Sequence, residues 1–451
     1  MKANISFISL GCDKNLVDSE VMLGLTKKAG FNIVPDEADA DIIVINTCCF
    51  IKDALEESIE TIIDAGKYKE DRCKGIIIAG CLGQRYEKEI FEEMPEVDAV
   101  IGTTAYEDIV EVAERVLNGE KQFKDIKSID LACDDDKSEL RVLSSAGYSA
   151  NLKIAEGCNN HCTYCVIPKL RGKYRSRKME SLIREAEMLA KNGVKELVLV
   201  AQDVALYGID LYGENRLHVL LENLCKVEGI EWIRLLYCYP EHLTDETIAV
   251  MAKEEKICHY IDMPLQHTVD SVLKKMGRRS TKAMIREIVG KLRTAMPDIA
   301  IRTTIITGFP QETEEDVEEL MEFISEIKFD RLGVFSYSQE EGTPAAKMEG
   351  QIDDDLKEDR RNRILECQKF ISAQNCESMV GKVIKVIVDG KIPEENIYCG
   401  RCYKDAPEID GMVFIKSDYE LLSGDFADVL ITEASDYDLI GETYYGDEFA
   451  E

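Results

Sequence analysis

The sequence predicts an α/β protein with three parts: an N-terminal domain with a parallel sheet, a central partial barrel of six β/α repeats, and a small all-β domain. Two observations lead to this fold class. Short apolar segments alternate twice with amphipathic segments of helical period, and a polar stretch separates the two alternations. After about residue 374 the helical period disappears. The 451 residues are also too many for one core.

The first alternation predicts the N-terminal parallel sheet. Strands are predicted at residues 5–10, 41–45, 75–79 and 97–101, and helices at 16–28, 54–65, 86–93 and 106–117. The chain is then polar and holds an acidic run, which is typical of a linker. We therefore expect the first domain to span residues 1–118 and the linker to span 119–148.

The second alternation predicts the central barrel. Strands are predicted at residues 152–155, 196–201, 232–236, 260–263, 300–306 and 331–335, and helices at 178–191, 217–227, 245–253, 282–295 and 314–327. Six repeats are fewer than the eight of a complete TIM barrel, so a partial (β/α)6 barrel is expected. A long charged helix at 353–372 leads out of it, which gives a central domain of residues 149–373.

The C-terminal domain, residues 374–451, is predicted to be a small all-β barrel or sandwich. Its segments 382–388, 411–416 and 426–433 are of β type without a helical period. The domain carries 18 acidic and 6 basic side chains. This acidic surface is either an ordinary solvated face or a docking surface for a basic partner.

Charge and cysteine content limit the classes of function. The net charge is −32, which repels nucleic acid and anionic lipid and favours a basic protein partner. The N-terminus has no long apolar segment typical of a secretion signal, and no run is long enough to span a membrane. We therefore expect a cytoplasmic protein, whose 16 cysteines are thiols or metal ligands rather than disulfides.

The first barrel strand is followed by three closely spaced cysteines. The segment reads Cys158-Asn-Asn-His-Cys162-Thr-Tyr-Cys165, and loops after barrel strands form the active-site face. Three thiolates fit a [4Fe–4S] cluster with one iron left open for another ligand. The alternatives are a structural zinc site, which needs a fourth ligand, and unliganded thiols.

Three more cysteines stand one by one after N-terminal strands. Cys12, Cys48 and Cys81 follow the first three predicted strands. Because the carboxyl ends of parallel strands meet at one edge of a sheet, these cysteines are expected to converge. They predict a second three-cysteine iron–sulfur cluster, and the alternative is three ordinary buried cysteines.

These segments resemble known families. The Cys158–Cys165 segment resembles the signature of the radical S-adenosylmethionine (SAM) superfamily. Nearly the whole chain resembles the methylthiotransferase family, through Ser9-Leu-Gly-Cys12-Asp-Lys-Asn-Leu-Val-Asp-Ser-Glu20, Asn46-Thr-Cys48, Ala79-Gly-Cys81-Leu-Gly-Gln-Arg and a C-terminal domain similar to a TRAM domain. The first of these segments and Arg401-Cys-Tyr-Lys-Asp-Ala-Pro-Glu-Ile-Asp-Gly411 resemble the branch that acts on an aspartate of ribosomal protein uS12.

The resemblance has two departures, which concern the first cluster. Cys49 stands where the family has glycine, and Asp13 stands where proline is frequent. Cys49 could compete with Cys48 as a ligand. We favour Cys48 because it holds the motif position.

The resemblance implies the chemistry, the cofactors and the partners. Two [4Fe–4S] clusters and SAM would methylthiolate the β-carbon of an aspartate of uS12, either as free protein or in the small ribosomal subunit. One SAM would supply the methyl group and a second the 5′-deoxyadenosyl radical. A low-potential electron donor such as flavodoxin or ferredoxin and a sulfur donor are implied as partners. No catalytic side chain is assigned beyond the cluster ligands.

Candidate SAM contacts lie at two strand ends. Gln202 and Asp203 end the second barrel strand, where the superfamily contacts the amino end of the methionine moiety. Gly308 and Pro310 follow the fifth strand, where a glycine turn allows the backbone to approach the adenine. An ordinary strand-to-helix turn is the alternative at both places.

Two rival functions remain. The first is methylthiolation of an adenosine-derived nucleotide in transfer RNA, which needs a basic groove. The acidic charge disfavours it, so no transfer RNA partner is expected. The second is a non-catalytic iron–sulfur or zinc scaffold associated with the ribosome. That reading leaves the placement of three cysteines after a barrel strand unexplained.

Overall fold

The computed structural model of the protein describes residues 3–131, 140–144, 147–393 and 396–445. Within them the chain forms two large parallel sheets with helices and one small β-barrel, which confirms the predicted fold class. Residues 132–139 and 145–146 of the predicted linker lie outside the described part. Among the described residues, no helix has the length and apolar content needed to cross a membrane.

The N-terminal domain contains a six-stranded parallel sheet. Its strands are β1 (Asn4–Ser9), β2 (Asn32–Ile33), β3 (Ile42–Thr47), β4 (Gly75–Gly80), β5 (Val97–Ile101) and β6 (Phe123–Asp125). Its helices are α1 (Asp13–Lys28), α2 (Lys52–Gly66), α3 (Cys81–Arg85), α4 (Glu87–Glu93) and α5 (Ile109–Leu117). The strand order is β2–β1–β3–β4–β5–β6. Strands β3 and β4 are buried along their whole length, as expected for isoleucine-rich inner strands covered on both faces.

Two edge strands of this sheet were missed by the sequence analysis. Strand β2 has two residues and β6 has three, which is too short to show a period. Strand β6 lies within the predicted linker and pairs with β5. Arg141, also in that segment, is buried and contacts Glu20 of α1 at 2.7 Å. The connecting segment is therefore partly packed into the protein.

The central domain is built on a second parallel sheet. Its strands are β7 (Ser149–Lys153), β8 (Ala155–Glu156), β9 (Arg175–Ser176), β10 (Glu196–Val200), β11 (Trp232–Leu235), β12 (Ile257–Gln266), β13 (Ala300–Thr307) and β14 (Arg331–Ser336). Strands β8 and β9 form a separate antiparallel pair, and the other six have the order β14–β13–β12–β11–β10–β7. This open sheet confirms the expected partial barrel.

The helices of the central domain follow its strands. They are α6 (Ile167–Arg171), α7 (Met179–Lys191), α8 (Ile209–Tyr212), α9 (Leu217–Leu224), α10 (Asp245–Lys253), α11 (Asp270–Lys275), α12 (Lys282–Ala295), α13 (Glu314–Ile327) and α14 (Asp354–Glu377). Helix α13 begins with a capping box between Thr313 and Asp316, which satisfies N–H groups at the helix start. The apolar faces of these helices cover the sheet and form the largest core.

The C-terminal domain is a closed five-stranded barrel. Its strands are β15 (Val383–Lys391), β16 (Ile397–Cys402), β17 (Val413–Lys416), β18 (Phe426–Ala434) and β19 (Leu439–Thr443). The order around the barrel is β15–β16–β17–β19–β18. The structure thus selects the barrel over the sandwich, and it adds β16 and β19 to the three predicted strands.

A loop of this barrel covers the beginnings of the central strands. Arg401, at the end of β16, lies 2.8 Å from Glu196, the first residue of β10. Lys404 in the following loop lies 3.0 Å from Asp330, just before β14. The carboxyl ends of the central strands lie on the opposite side, where a functional site is expected.

Candidate active site

The cysteines Cys12, Cys48 and Cys81 lie at one edge of the N-terminal sheet, as predicted. Cys12 follows β1 and caps α1, Cys48 follows β3, and Cys81 opens α3 directly after β4. Strands β1, β3 and β4 are neighbours in the sheet. Three residues that are far apart in sequence are thereby brought together.

The backbone around Cys48 is tightly held. Gly11 has φ +89°, and a Cβ placed on it would lie 2.6 Å from the Cβ of Cys48, so only glycine fits there. The Ser58 hydroxyl of α2 donates to the Cys48 carbonyl at 2.8 Å and accepts from its N–H at 3.1 Å. Asn15 of α1 donates to the carbonyl of Thr47 at 3.0 Å. These contacts fix the strand end that carries the thiol.

The three thiols are close enough to affect one another's ionisation. Burial, with the added charges of Cys81 and Cys12, raises the pKa of the Cys48 thiol to about 11. Burial also raises the pKa of Cys81, although the nearby Arg171 guanidinium opposes this rise. Metal binding to such thiols displaces their protons.

Cys49, the competing ligand, lies in a different environment. Its side chain is fully buried in an apolar cluster under the sheet, and its carbonyl accepts a hydrogen bond from Arg85 at 3.1 Å. Burial and the charge of Cys81 raise its pKa to about 12. The Cys48 side chain lies against Gly11, next to Cys12, and this favours Cys48 as the third member of the group.

The second group of cysteines lies in the loop between β8 and α6. The backbone N–H of Asn160 donates to the Cys158 sulfur, and that of Ile167 donates to the Cys165 sulfur, each at 3.4 Å. Burial raises the pKa of Cys158 to about 11. Burial also raises the pKa of Cys165, and the charge of Cys162 adds to the rise. The loop therefore presents three neighbouring sulfur donors.

The chemistry of both donor sets suits an iron–sulfur cluster better than a zinc ion. In the described part of the chain, no three or more His, Cys, Asp or Glu side chains are arranged to hold a metal ion. A structural zinc ion gathers four ligands around one centre. A [4Fe–4S] cluster with one iron left open takes three cysteine thiolates, which is the number that each group offers. That the six cysteines are ligands stays a prediction.

The predicted SAM contacts at the end of β10 lie beside the second cysteine group. Gln202 donates from Nε2 to Glu156 Oε1 at 2.8 Å, and Asp203 Oδ2 lies 2.6 Å from His242 Nδ1. Burial raises the pKa of Asp203, although His242 opposes it. The other side-chain oxygens, Gln202 Oε1 and Asp203 Oδ1, are buried without a hydrogen-bond partner in the protein. Such unpaired buried groups indicate a place for a polar ligand.

The second pair of predicted SAM contacts has a clear structural environment. Gly308 has φ +73°, and a Cβ placed on it would lie 2.2 Å from the side chain of Lys357 in α14. Pro310 is buried in the same turn. The glycine is required for the packing of α14, and its approach to adenine stays a prediction.

Arg278 is a candidate binding residue that the sequence analysis missed. It is buried after α11, and its guanidinium stacks over the Tyr239 ring at 4.1 Å. It donates from Nη2 to the Pro264 carbonyl at 3.0 Å, while Nε and Nη1 have no partner in the protein. Its charge acts on the Cys165 thiol. No local pattern marks this arginine, because only the fold places it under the cysteine loop.

Family models match the three parts of the chain. The model described as uncharacterized protein family UPF0004 matches residues 4–102, the radical SAM superfamily matches 152–324, and the TRAM domain matches 380–443.

Solved structures share the fold at low sequence identity. The radical SAM methyltransferase TsrM from Kitasatospora setae superposes with a TM-score of 0.54 at 13% identity, covering 74% of this chain and 73% of that chain. The cobalamin-dependent SAM radical enzyme OxsB superposes with a TM-score of 0.53 at 14% identity, covering 82% of this chain and 56% of that chain.

Curated relatives match at high identity over almost the full length. The ribosomal protein uS12 methylthiotransferase RimO of Lachnoclostridium phytofermentans is 54% identical, with 97% of this chain and 99% of the relative covered. The RimO proteins of a Thermoanaerobacter species and of Clostridium novyi are 50% and 49% identical, with 97% of this chain covered in each case and 99% and 97% of the relative. The chain therefore belongs to the RimO family of ribosomal protein uS12 methylthiotransferases.

Proposed function

We propose that this protein attaches a methylthio group to the β-carbon of an aspartate in ribosomal protein uS12. The observation that carries the proposal is the pair of cysteine groups in a chain that belongs to the RimO family. One group lies at the carboxyl ends of β1, β3 and β4, and the other lies in the loop after β8. One group alone would suit many radical SAM enzymes. The second group supplies the site that sulfur transfer requires.

Each cysteine group holds one [4Fe–4S] cluster in this proposal. Cys12, Cys48 and Cys81 bind the N-terminal cluster, and Cys158, Cys162 and Cys165 bind the central cluster. Three ligands leave one iron of each cluster open. When bound, the clusters and SAM supply the sulfur site, the methyl group and the radical that takes a hydrogen atom from the aspartate β-carbon.

The protein residues near the central cysteines bind and orient SAM. The unpaired oxygens of Gln202 and Asp203 are acceptors suited to the amino group of its methionine moiety, and the unpaired N–H groups of Arg278 are donors suited to its carboxylate. Gly308 and Pro310 border the same side of the sheet, where the adenine would lie. The buried setting of these groups excludes water from the reacting centre.

The charge of the protein supports a basic protein substrate. With a net charge of −32 and an acidic C-terminal barrel, the chain attracts a basic ribosomal protein and repels the phosphates of transfer RNA. The C-terminal domain, residues 374–451, is the part proposed to contact uS12 or the small subunit. Residues 1–118 and 149–373 hold the two clusters, and residues 119–148 connect them.

Further partners follow from the balance of the reaction. Reductive cleavage of SAM would consume one electron per molecule, which a low-potential donor such as flavodoxin or ferredoxin would supply. A sulfur donor must replace the atom that each turnover transfers. We place the reaction in the cytoplasm, where ribosomal proteins meet such donors.

Iron and sulfide content tests the two-cluster arrangement. Anaerobically prepared wild type is compared with a variant in which Cys158, Cys162 and Cys165 are replaced by alanine, with electron paramagnetic resonance on both. The proposal expects about eight irons per chain in the wild type and about four in the variant. About four irons in the wild type, or zinc in place of iron, would overturn the proposal.

A further inference from the structure

A buried network of charged side chains lies between the two cysteine groups. Asp18 comes from α1, Lys153 and Glu156 come from the beginning of the central domain, and Arg171 ends α6. Lys153 and Arg171 each contact both carboxylates. All four side chains are at most 6% exposed. An ion network so far from water is costly, which suggests a function beyond holding the domains together.

Arg171 connects this network to the N-terminal cysteines. Its guanidinium donates to Asp18 Oδ2 at 3.0 Å and to Glu156 Oε2 at 2.8 Å, and it also contacts the Asn15 side chain. Asn15 in turn donates to the carbonyls of Leu10 and Thr47, close to Cys12 and Cys48, at 3.1 and 3.0 Å. The Arg171 charge opposes the rise in the pKa of the Cys81 thiol. Cys12 is within reach of its charge as well.

Glu156 connects the same network to the central cysteines and the SAM contacts. It lies two residues before Cys158, and its carboxylate accepts hydrogen bonds from Gln202 Nε2 at 2.8 Å and from the Gly157 N–H at 3.2 Å. Its charge also reaches Cys81. The salt bridge between Arg171 and Glu156 therefore directly connects the residues around the first cysteine group with those around the second.

We propose that Arg171 is a positioning residue that sets the reduction potential of the N-terminal cluster and holds that cluster in register with the SAM site. This inference rests on the proposed function, because it assumes that Cys12, Cys48 and Cys81 carry a cluster. The guanidinium keeps its positive charge at all physiological pH values. In a buried, weakly polarisable setting, a fixed positive charge next to the cluster stabilises its reduced, more negative form.

Glu156 has the opposite effect on the same cluster. Its negative charge near Cys81 disfavours reduction, and its salt bridge to Arg171 keeps the guanidinium in place. The two residues therefore tune the potential in opposite directions. Replacement of a residue that only supported the fold would not shift the reduction potential in a direction set by the charge of that residue.

A redox titration followed by electron paramagnetic resonance tests this inference. The variant with Cys158, Cys162 and Cys165 replaced by alanine is the background, so that only the N-terminal cluster contributes a signal. Three single substitutions are introduced into this background: Arg171→Gln, Arg171→Lys and Glu156→Gln. We expect a more negative midpoint potential for Arg171→Gln, an almost unchanged one for Arg171→Lys, and a more positive one for Glu156→Gln.

Arg141→Gln is the matched control. Arg141 is equally buried at the same domain boundary and is paired with Glu20 at 2.7 Å and Glu185 at 3.0 Å. It should destabilise the interface without shifting the midpoint potential. Equal shifts for Arg171→Gln and Arg141→Gln, or no shift for either Arg171→Gln or Glu156→Gln, would overturn the inference.

The remaining outcomes are also decisive. If Arg171→Gln does not fold, the positive shift of Glu156→Gln and the retained potential of Arg171→Lys carry the inference, and their absence overturns it. If the background protein binds no iron, the proposed function fails and the inference fails with it. If it binds about four irons and the potential does not move, only the inference fails.

Discussion

The guanidinium of Arg401 lies 2.8 Å from the carboxylate of Glu196, and both side chains are almost fully buried between the C-terminal barrel and the central sheet. Arg234 of β11 contacts the same carboxylate at 2.9 Å. The motif that begins at Arg401 resembles the uS12 branch of the family in sequence. In the structure it joins the C-terminal barrel to the edge of the central sheet at which the strands begin.

The first prediction concerns the stability of this junction. Arg401→Met removes one positive partner of the buried Glu196 carboxylate, whose negative charge is then only partly compensated. The substitution should therefore lower the free energy of unfolding by about 3 to 5 kcal/mol. Lys385→Met is the control, because Lys385 pairs with Glu231 at 3.4 Å in an exposed position. This substitution should change the free energy of unfolding by less than about 0.5 kcal/mol. Denaturant titration of both variants measures the difference, and equal effects would contradict the role of the junction.

The second prediction concerns acid stability. Burial on its own raises the pKa of Glu196, but the charges of Arg401 and Arg234 outweigh it and hold the pKa below its ordinary value of 4.5. A depressed pKa gives stability that is present above pH 4.5 and is lost as the pH falls further.

Unfolding measured at a series of pH values below about 4.5 tests this. The wild type should lose stability with a slope of up to about 1.4 kcal/mol per pH unit from this group, and Glu196→Gln should be less stable but show a shallower slope. Parallel slopes in the two proteins would show that the carboxylate is not held ionised.

The third prediction distinguishes the two adjacent cysteines after β3. In the background that lacks Cys158, Cys162 and Cys165, Cys48→Ala should lose the remaining iron, because it removes a ligand. Cys49→Ala should keep about four irons, because it is the Cys48 side chain that lies against Gly11, next to Cys12. Iron retained in Cys48→Ala and lost in Cys49→Ala would reverse the assignment.

The fourth prediction concerns SAM binding. Arg278→Met should weaken the binding of SAM to the reconstituted protein about 10- to 100-fold, since a hydrogen bond to a charged group is worth about 1.5 to 3 kcal/mol. Arg279→Met is the control, because Arg279 is the exposed neighbour. Equilibrium dialysis with labelled SAM gives both affinities. If both variants bind like the wild type, Arg278 is not a contact.

The sequence predicts the parts of the fold that repeat a strong period. Helices α10, α12 and α13 have the predicted bounds because their apolar faces are regular over nine or more residues. Strand β2 is an edge strand of two residues and leaves no such signal. The helix α14 extends five residues beyond its predicted end at 372, where Cys376 is buried in the core of the C-terminal barrel.

The candidate site is likewise predictable from the sequence only in part. The six cysteines can be found because spacing and strand ends reveal them. Arg171 and Arg278 cannot be found in this way, since each lies far in sequence from the residues it contacts and looks like an ordinary surface arginine. Only the packing of α6 and α11 against the cysteine loops buries them.

The mass of uS12 after reaction is the most direct test of the central claim. Purified uS12 or the small ribosomal subunit is incubated with the reconstituted protein, SAM, a low-potential reductant and a sulfide source, and the aspartate-containing peptides are analysed by tandem mass spectrometry. The proposal predicts that one aspartate gains the mass of an SCH₂ unit in the wild type. It predicts no gain in variants that lack either Cys12, Cys48 and Cys81 or Cys158, Cys162 and Cys165. An unmodified uS12 in the presence of active SAM cleavage, or modification of transfer RNA in its place, would contradict it.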